Sequence, residues 1–118
     1  MVSISQYARR QLARAKRTEF DAPVTGYLIN VRMIACCCIG QVYGHVQARP
    51  DGWLQDGHRV RTNDVLRIEQ REGHWICITA SGSFYVIVSF AREGGRRSLE
   101  ILLKILLKRV HPTARHCQ

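Results

Sequence analysis

Apolar residues follow two rhythms along this chain: helical spacing near both ends, and short alternating runs broken by turn residues between 24 and 90. At the N-terminal end, Ile4, Ala8, Leu12 and Ala15 recur every three or four residues, which predicts a helix over 3–18. Ser3 or Ser5 can cap it by accepting a hydrogen bond from a first-turn amide. The stripe is narrow and half alanine, so its burial stabilises only weakly, and Tyr7 flanks it. Arg10, Arg14 and Arg17 share another face, widened by Arg9 and Lys16. The ring of Pro23 disfavours helix at the residue before it, so Asp21-Ala22-Pro23 closes the segment.

The stretch from 24 to 90 reads as β throughout. Tyr27–Ile39 is rich in Val, Ile and Cys and forms one long bent strand or two, with Gly40 as a bend or bulge. Pro50-Asp51-Gly52 and Asp56-Gly57 are turns, because Pro presets φ and Gly accepts a positive one. In His58–Thr62, Val60 points opposite to Arg59 and Arg61. Val65, Arg67 and Glu69 then alternate with Leu66 and Ile68. Glu72-Gly73 turns the chain into His74–Ala80, where Trp75 opposes Ile76 and Ile78, and Ser81-Gly82-Ser83 turns it again into Phe84–Phe90. Short strands at this spacing predict an antiparallel meander curled into a small barrel or sandwich.

After the Gly94-Gly95 joint, Ser98 is expected to cap a leucine-rich helix running to Val110, with His111-Pro112 ending it and 112–118 as a loose tail. Glu100 in the first turn and Lys104, Lys108 and Arg109 later would complement the helix dipole. Apolar residues cover more than half its circumference, so it packs into a groove of the β body or pairs with a second copy through Leu103 and Leu106. The predicted fold is therefore a β-rich α+β domain over 1–118: a basic helix in 1–20, a β body in 24–90 and a C-terminal helix in 96–111.

Composition changes this picture at one point. Hydrophobic residues make up 46% and charged residues 23%, ordinary values for a globular chain. The formal net charge of +9, however, lies wholly at the ends. Residues 1–20 set Arg9, Arg10, Arg14, Lys16 and Arg17 against Glu19 alone. Residues 91–118 set seven basic side chains, Arg96 and Arg97 among them, against Glu93 and Glu100. The six basic and six acidic residues of 21–90 cancel. A neutral body with basic ends suits an anionic partner: nucleic acid, an acidic protein or a nucleoprotein surface.

Cysteine usage points to a reducing compartment. Five is an odd count, and adjacent Cys36, Cys37 and Cys38 alternate faces in a strand, a poor disulfide framework. With no secretory leader pattern and no apolar run near the ~20 residues a bilayer requires, the chain reads as cytoplasmic and independent of membranes. Cys36, Cys38, Cys77, His111, His116 and Cys117 are metal-ligand types without zinc-site spacing, and the cysteines are more simply small core hydrophobes. No cofactor is implied.

Catalytic motifs are missing: there is no phosphate-binding glycine loop, nucleophile elbow or HExxH. The serines of Thr79–Ser83 lie in a hairpin, and His58, His74, Asp56, Asp64 and Glu69 have turn or surface readings. No helix-turn-helix or zinc finger is present either. The expectation is a non-catalytic binding protein. Arg9, Arg10, Arg14, Lys16, Arg17, Arg96 and Arg97 would contact phosphates, with Trp53 and Tyr43 as stacking candidates. The alternative is a small inhibitor or adaptor, of the kind mobile elements encode, bound to a host defence protein complex.

Overall fold

The sheet is built from two antiparallel three-stranded units joined along one parallel seam. The computed structural model describes residues 4–110. Its elements are α1 (Gln6–Arg17), β1 (Gly26–Ile34), β2 (Cys37–Tyr43), β3 (Arg59–Arg61), β4 (Val65–Arg71), β5 (His74–Thr79), β6 (Phe84–Ile87) and α2 (Gly95–Val110). The strand order is β3-β2-β1-β6-β5-β4, antiparallel except for β1 with β6, which run parallel. The result is an α+β fold with a six-stranded mixed sheet, and no strand pair closes it into a barrel. The edges are drawn towards each other by the β3–β4 link. There Thr62 N–H donates to the Cys38 carbonyl, Val65 N–H to Cys36 and Ala80 N–H to Asp64.

Two of the local hairpins follow from their turn residues. Glu72 and Gly73 both take positive φ, the geometry of a two-residue loop whose twist matches its strands. Tyr27–Ile39 is two strands, not one, turning at Ala35-Cys36 with Ala35 at φ 54°. Cys36 therefore sits in a turn, and the expected in-strand alternation of the three cysteines does not hold. Cys38 joins the α2-side core and Cys37 donates to Asp64 Oδ1 at 3.7 Å.

A bulge in β1 sets which face each residue serves. Gly40 stands opposite both Asn30 and Val31, because the register passes from Ile29↔Gln41 to Arg32↔Ile39. A Cβ on Gly40 would lie 3.0 Å from the Ile29 carbonyl oxygen, so a side chain here would press on the facing strand. Before the bulge, Leu28 faces α2 and Ile29 faces α1. After it, Val31 and Met33 point into the α2-side core while Arg32 and Ile34 are exposed. A second bulge, at Leu66, turns that residue outwards and brings Val65 and Ile68 to the core, which the strict alternation expected from sequence misses.

Each helix covers one face of the sheet. Ala8 and Leu12 of α1 rest on Ile29 and Tyr43, and Ala15 on Ile76, Phe84 and Val86. Ser5 is the N-cap, accepting from Ala8 N–H at 3.0 Å. On the other face, Leu99, Leu102 and Leu106 pack on Leu28, Val31, Met33, Cys38 and Val65. This helix begins at Gly95, one residue before the 96 boundary and four before the Leu99 start that a Ser98 cap implies, and Ser98 is not its cap. The Ser98 hydroxyl donates to the Gly95 carbonyl at 2.6 Å and accepts from Met33 N–H at 2.8 Å, tying α2 to β1. Glu100 consequently lies beyond the first turn, which holds Arg96 and Arg97 and no acidic residue. Leu106 is buried and Leu103 is partly buried against the core, so the pair presents only the outer part of Leu103 to the surface. The exposed apolar residues of α2 are Ile101, Ile105 and Leu107. No described helix is long and apolar enough to cross a membrane. The expected tail 112–118, with His116 and Cys117, and His111 lie outside the described residues.

Candidate functional site

β6 stops at Ile87, and the chain beyond it, Val88 to Ala91, runs beside the second half of β1 through the Val31–Phe90 bridge. A cleft of about 380 Å³ opens there, lined by Tyr7, Gln11 and Arg14 of α1, His74 and Trp75 of β5, Phe90, and Arg96 of α2. Tyr7, Gln11 and Arg14 fall at i, i+4 and i+7, so one stripe of α1 forms a wall. Arg96 lies across the opposite side with its guanidinium carbon 4.8 Å from the centre of the Phe90 ring. Tyr7 is 62% exposed, which leaves its ring available to a ligand.

The cleft continues into a neighbouring depression lined by Ile4, Tyr7, Asn30, Gln41 and Ser89. Asn30 there holds a left-handed backbone (φ 58°), receives its support from Ser89 Oγ and donates through Nδ2 to Gln41 Oε1 at 3.3 Å. Beyond it a further hollow is bordered by Arg32 and Arg59. Arg32 donates to the Glu93 carbonyl at 3.2 Å. Four guanidinium groups, those of Arg14, Arg96, Arg32 and Arg59, thus follow one path over the molecule. None has a carboxylate within ion-pair distance among the described residues, in contrast to Arg49, Arg67 and Arg71, which pair with Asp51, Glu69 and Asp21 with Glu69.

The other basic residues spread around α1 rather than converging. All are exposed. Arg10 and Arg17 share the outward stripe with Arg14, whereas Lys16 borders Gly44 and Tyr27 and Arg9 acts on Tyr43 across the helix. Arg97 is exposed on the first turn of α2. Tyr43 is not available for stacking: it is buried under α1, and that burial, aided by Asp56 and opposed by Arg9, raises its phenol above the ordinary value. Trp53 is open to solvent on the 44–58 loop, edge-on to His58 and away from the cleft. Sequence reasoning missed Tyr7 and Phe90 as members of the site and read Trp75 as core, against which it does pack. Only the spacing of Tyr7 with Gln11 and Arg14 carried a signal.

The remaining chemistry-bearing side chains have structural partners. The hydrogen bond with Cys77, then burial, push the Cys38 thiol well above its usual value, so it stays protonated inside the core. Asp56 accepts from Gly44 N–H at 2.8 Å, and Glu69 is held by Arg67 and Arg71. Among the described residues, no three His, Cys, Asp or Glu side chains group to hold a metal ion.

The class defined is an α+β protein with a mixed sheet between two helices and a cleft bordered by arginines of both helices. Compared with known proteins, the chain matches no family model, no curated protein and no solved structure.

Proposed function

We propose that the protein is a non-catalytic, cytoplasmic binder of single-stranded nucleic acid, free or within a nucleoprotein, and that the Arg14–Arg96 cleft is where it binds. One observation carries the reading: an arginine from each basic end lines the same cleft, with the exposed ring of Tyr7 in its wall. Paired guanidiniums match phosphate oxygens as planar forks, and an exposed ring such as that of Tyr7 accepts any base by stacking. The start of α2 adds support. Cations at a helix N-terminus oppose the dipole at about 0.3–1 kcal/mol each, so Arg96 and Arg97 sit where a bound anion relieves them. A strand threaded through the cleft meets Arg32 and Arg59 further along.

Fluorescence anisotropy with short single- and double-stranded DNA and RNA tests this. Single strands should bind more tightly than duplexes of equal charge. The double variant Arg14→Glu, Arg96→Glu should lose at least about tenfold in affinity with an unchanged unfolding curve. Unaltered binding in that variant overturns the assignment.

A protein partner is the second reading, favoured by the apolar residues Ile101, Ile105 and Leu107 that α2 leaves exposed beside Lys104 and Lys108. Capture of a protein partner after nuclease treatment, abolished by Ile101→Glu or Ile105→Glu, distinguishes it.

A further inference from the structure

The sheet carries a second pocket of different character on its α2 side. The 44–58 loop between β2 and β3 buries Leu54 and, with β3 and the β5–β6 turn, borders a hollow of about 300 Å³. Val60 and Tyr85 line it and belong to the α2-side core, which fixes the face it opens on. Arg59 and Arg61 alternate with Val60, so their side chains point to the opposite face and only their backbone borders the pocket. No Asp, Glu or Lys lines it. The pocket is therefore without fixed charge, and it lies at the lower end of the size range for small-molecule sites, with room for one ring and its substituents.

We propose that this pocket binds a neutral monosaccharide in its pyranose form, with one face of the sugar ring on Trp53 and its hydroxyls on Tyr85 and the Thr79–Ser83 turn. Three observations support the assignment.

The first is a proton count. His45 is buried, and its Nδ1 accepts Gln47 N–H at 2.9 Å. In the neutral ring the hydrogen must then sit on Nε2, which lies 3.0 Å from the Tyr85 hydroxyl and donates to it. Burial lowers the proton affinity of His45 and raises that of Tyr85, so both stay neutral. The phenolic hydrogen of Tyr85, itself only 8% exposed, is left with no acceptor among the described residues, at the wall of the pocket. A ligand oxygen completes it. Gly26 is part of the same construction, since a Cβ there would lie 3.2 Å from the His45 ring and 3.3 Å from Tyr85.

The second is the β5–β6 turn. Thr79 lies two residues beyond Cys77, and Ser83 two before Tyr85, so both side chains share the face of those core residues. The hydroxyls of Thr79, Ser81 and Ser83 form a chain with spacings of 3.0 and 3.4 Å. Three hydroxyl hydrogens serve these two links, so at least one remains for a ligand. Hydroxyls that both donate and accept suit sugar hydroxyls, which do the same, whereas a nucleobase edge has a fixed pattern of donors and acceptors. The third is Trp53. Its ring stands edge-on to His58 at 5.7 Å, and His58 lies two residues before Val60, on the pocket's face. Trp53 is 53% exposed although its backbone is fixed: its N–H donates to Asp51 Oδ1 at 3.1 Å and its carbonyl accepts from Arg49 N–H at 2.9 Å. A held, exposed indole is a preorganised platform for the apolar C–H face of a sugar ring.

The test is NMR titration of the full chain with glucose, galactose, mannose and N-acetylglucosamine, read at the Trp53 indole N–H, which Trp53→Phe identifies. At least one of these sugars is expected to shift that signal saturably, with a Kd of about 0.1–10 mM. Trp53→Ala, an exposed change, should weaken that sugar at least about tenfold, read at the Ser83 amide. Ser81→Ala, also exposed, should weaken it about threefold. No saturable shift with any of the sugars up to about 50 mM overturns the proposal, as does an unchanged affinity in Trp53→Ala. So does glucose phosphate binding at least about tenfold more tightly than glucose, the mark of an anion site, or adenosine binding more tightly than every sugar, the mark of a base site. The cleft variant Arg14→Glu, Arg96→Glu should bind the sugar normally, so this proposal and the strand-binding reading fail separately.

Discussion

Gly95 decides where the second helix begins. A Cβ at this position would lie 2.6 Å from the Val31 carbonyl oxygen and 3.1 Å from the Cβ atoms of Phe90 and Ala91. Alanine raises helix propensity by about 1 kcal/mol, while overpacking against backbone costs about 1–3 kcal/mol. The clash is with a carbonyl that already accepts Ala91 N–H, so it cannot relax by side-chain rotation. Gly95→Ala should therefore lower stability by about 1–2 kcal/mol in urea unfolding despite the better helix former. His45 sets a pH dependence by the same local logic. Burial depresses its folded pKa below the unfolded value of about 6.5. As pH falls through that value the unfolded chain takes up a proton that the native one refuses, so stability falls until the folded pKa is reached and is full above about 6.5. Urea midpoints at about pH 7.5 and pH 5.5 should differ more for the native sequence than for His45→Gln. Equal differences would mean that His45 titrates alike in both states.

α2 divides its apolar residues between two jobs, and substitution should separate them. Leu102 is buried among Leu28, Val31 and Val65, and Leu102→Ala should cost about 2–5 kcal/mol. Ile101, next to it in sequence, is 52% exposed, and Ile101→Ala should stay within about 0.5 kcal/mol. If Ile101→Ala instead destabilised in a concentration-dependent way, α2 would be a dimer contact through its outer side. Much of this level was legible in the sequence. The stripe Ala8, Leu12, Ala15, the turns at Pro50–Gly52, Asp56–Gly57 and Glu72–Gly73, and the opposition of Trp75 to Ile76 are local patterns with local causes. The parallel β1–β6 seam was not legible, because Gly26↔Tyr85 joins residues far apart with no turn between them to fix direction. Nor was the start of α2. Ser98 has the residue type of a cap, and only the docked strand shows that its hydroxyl serves Met33.

Charge is the property that changes most between the chain and the folded molecule. Residues 21–90 are neutral by count, yet Arg49, Arg67 and Arg71 absorb Asp51, Glu69 and Asp21, leaving Arg32, Arg59 and Arg61 without acidic partners. Asp56, Asp64 and Glu72 balance these three in number, so the body stays neutral in sum while Arg32 and Arg59 border a hollow beyond the Arg14–Arg96 cleft. Arg14 and Arg96 were both legible as candidates. Their meeting was not, because it depends on β6 ending early and on the bulge at Asn30. For single strands each phosphate contact contributes about 0.7 to the slope of log affinity against log salt. If Arg14 and Arg96 contact one strand, Arg14→Gln with Arg96→Gln should flatten that slope by about 1.4. Arg67→Gln, whose guanidinium Glu69 already holds at 3.1 Å, should leave it unchanged. Equal flattening by both would indicate a diffuse field rather than a track, since a field senses total charge and a track senses only the charges along it.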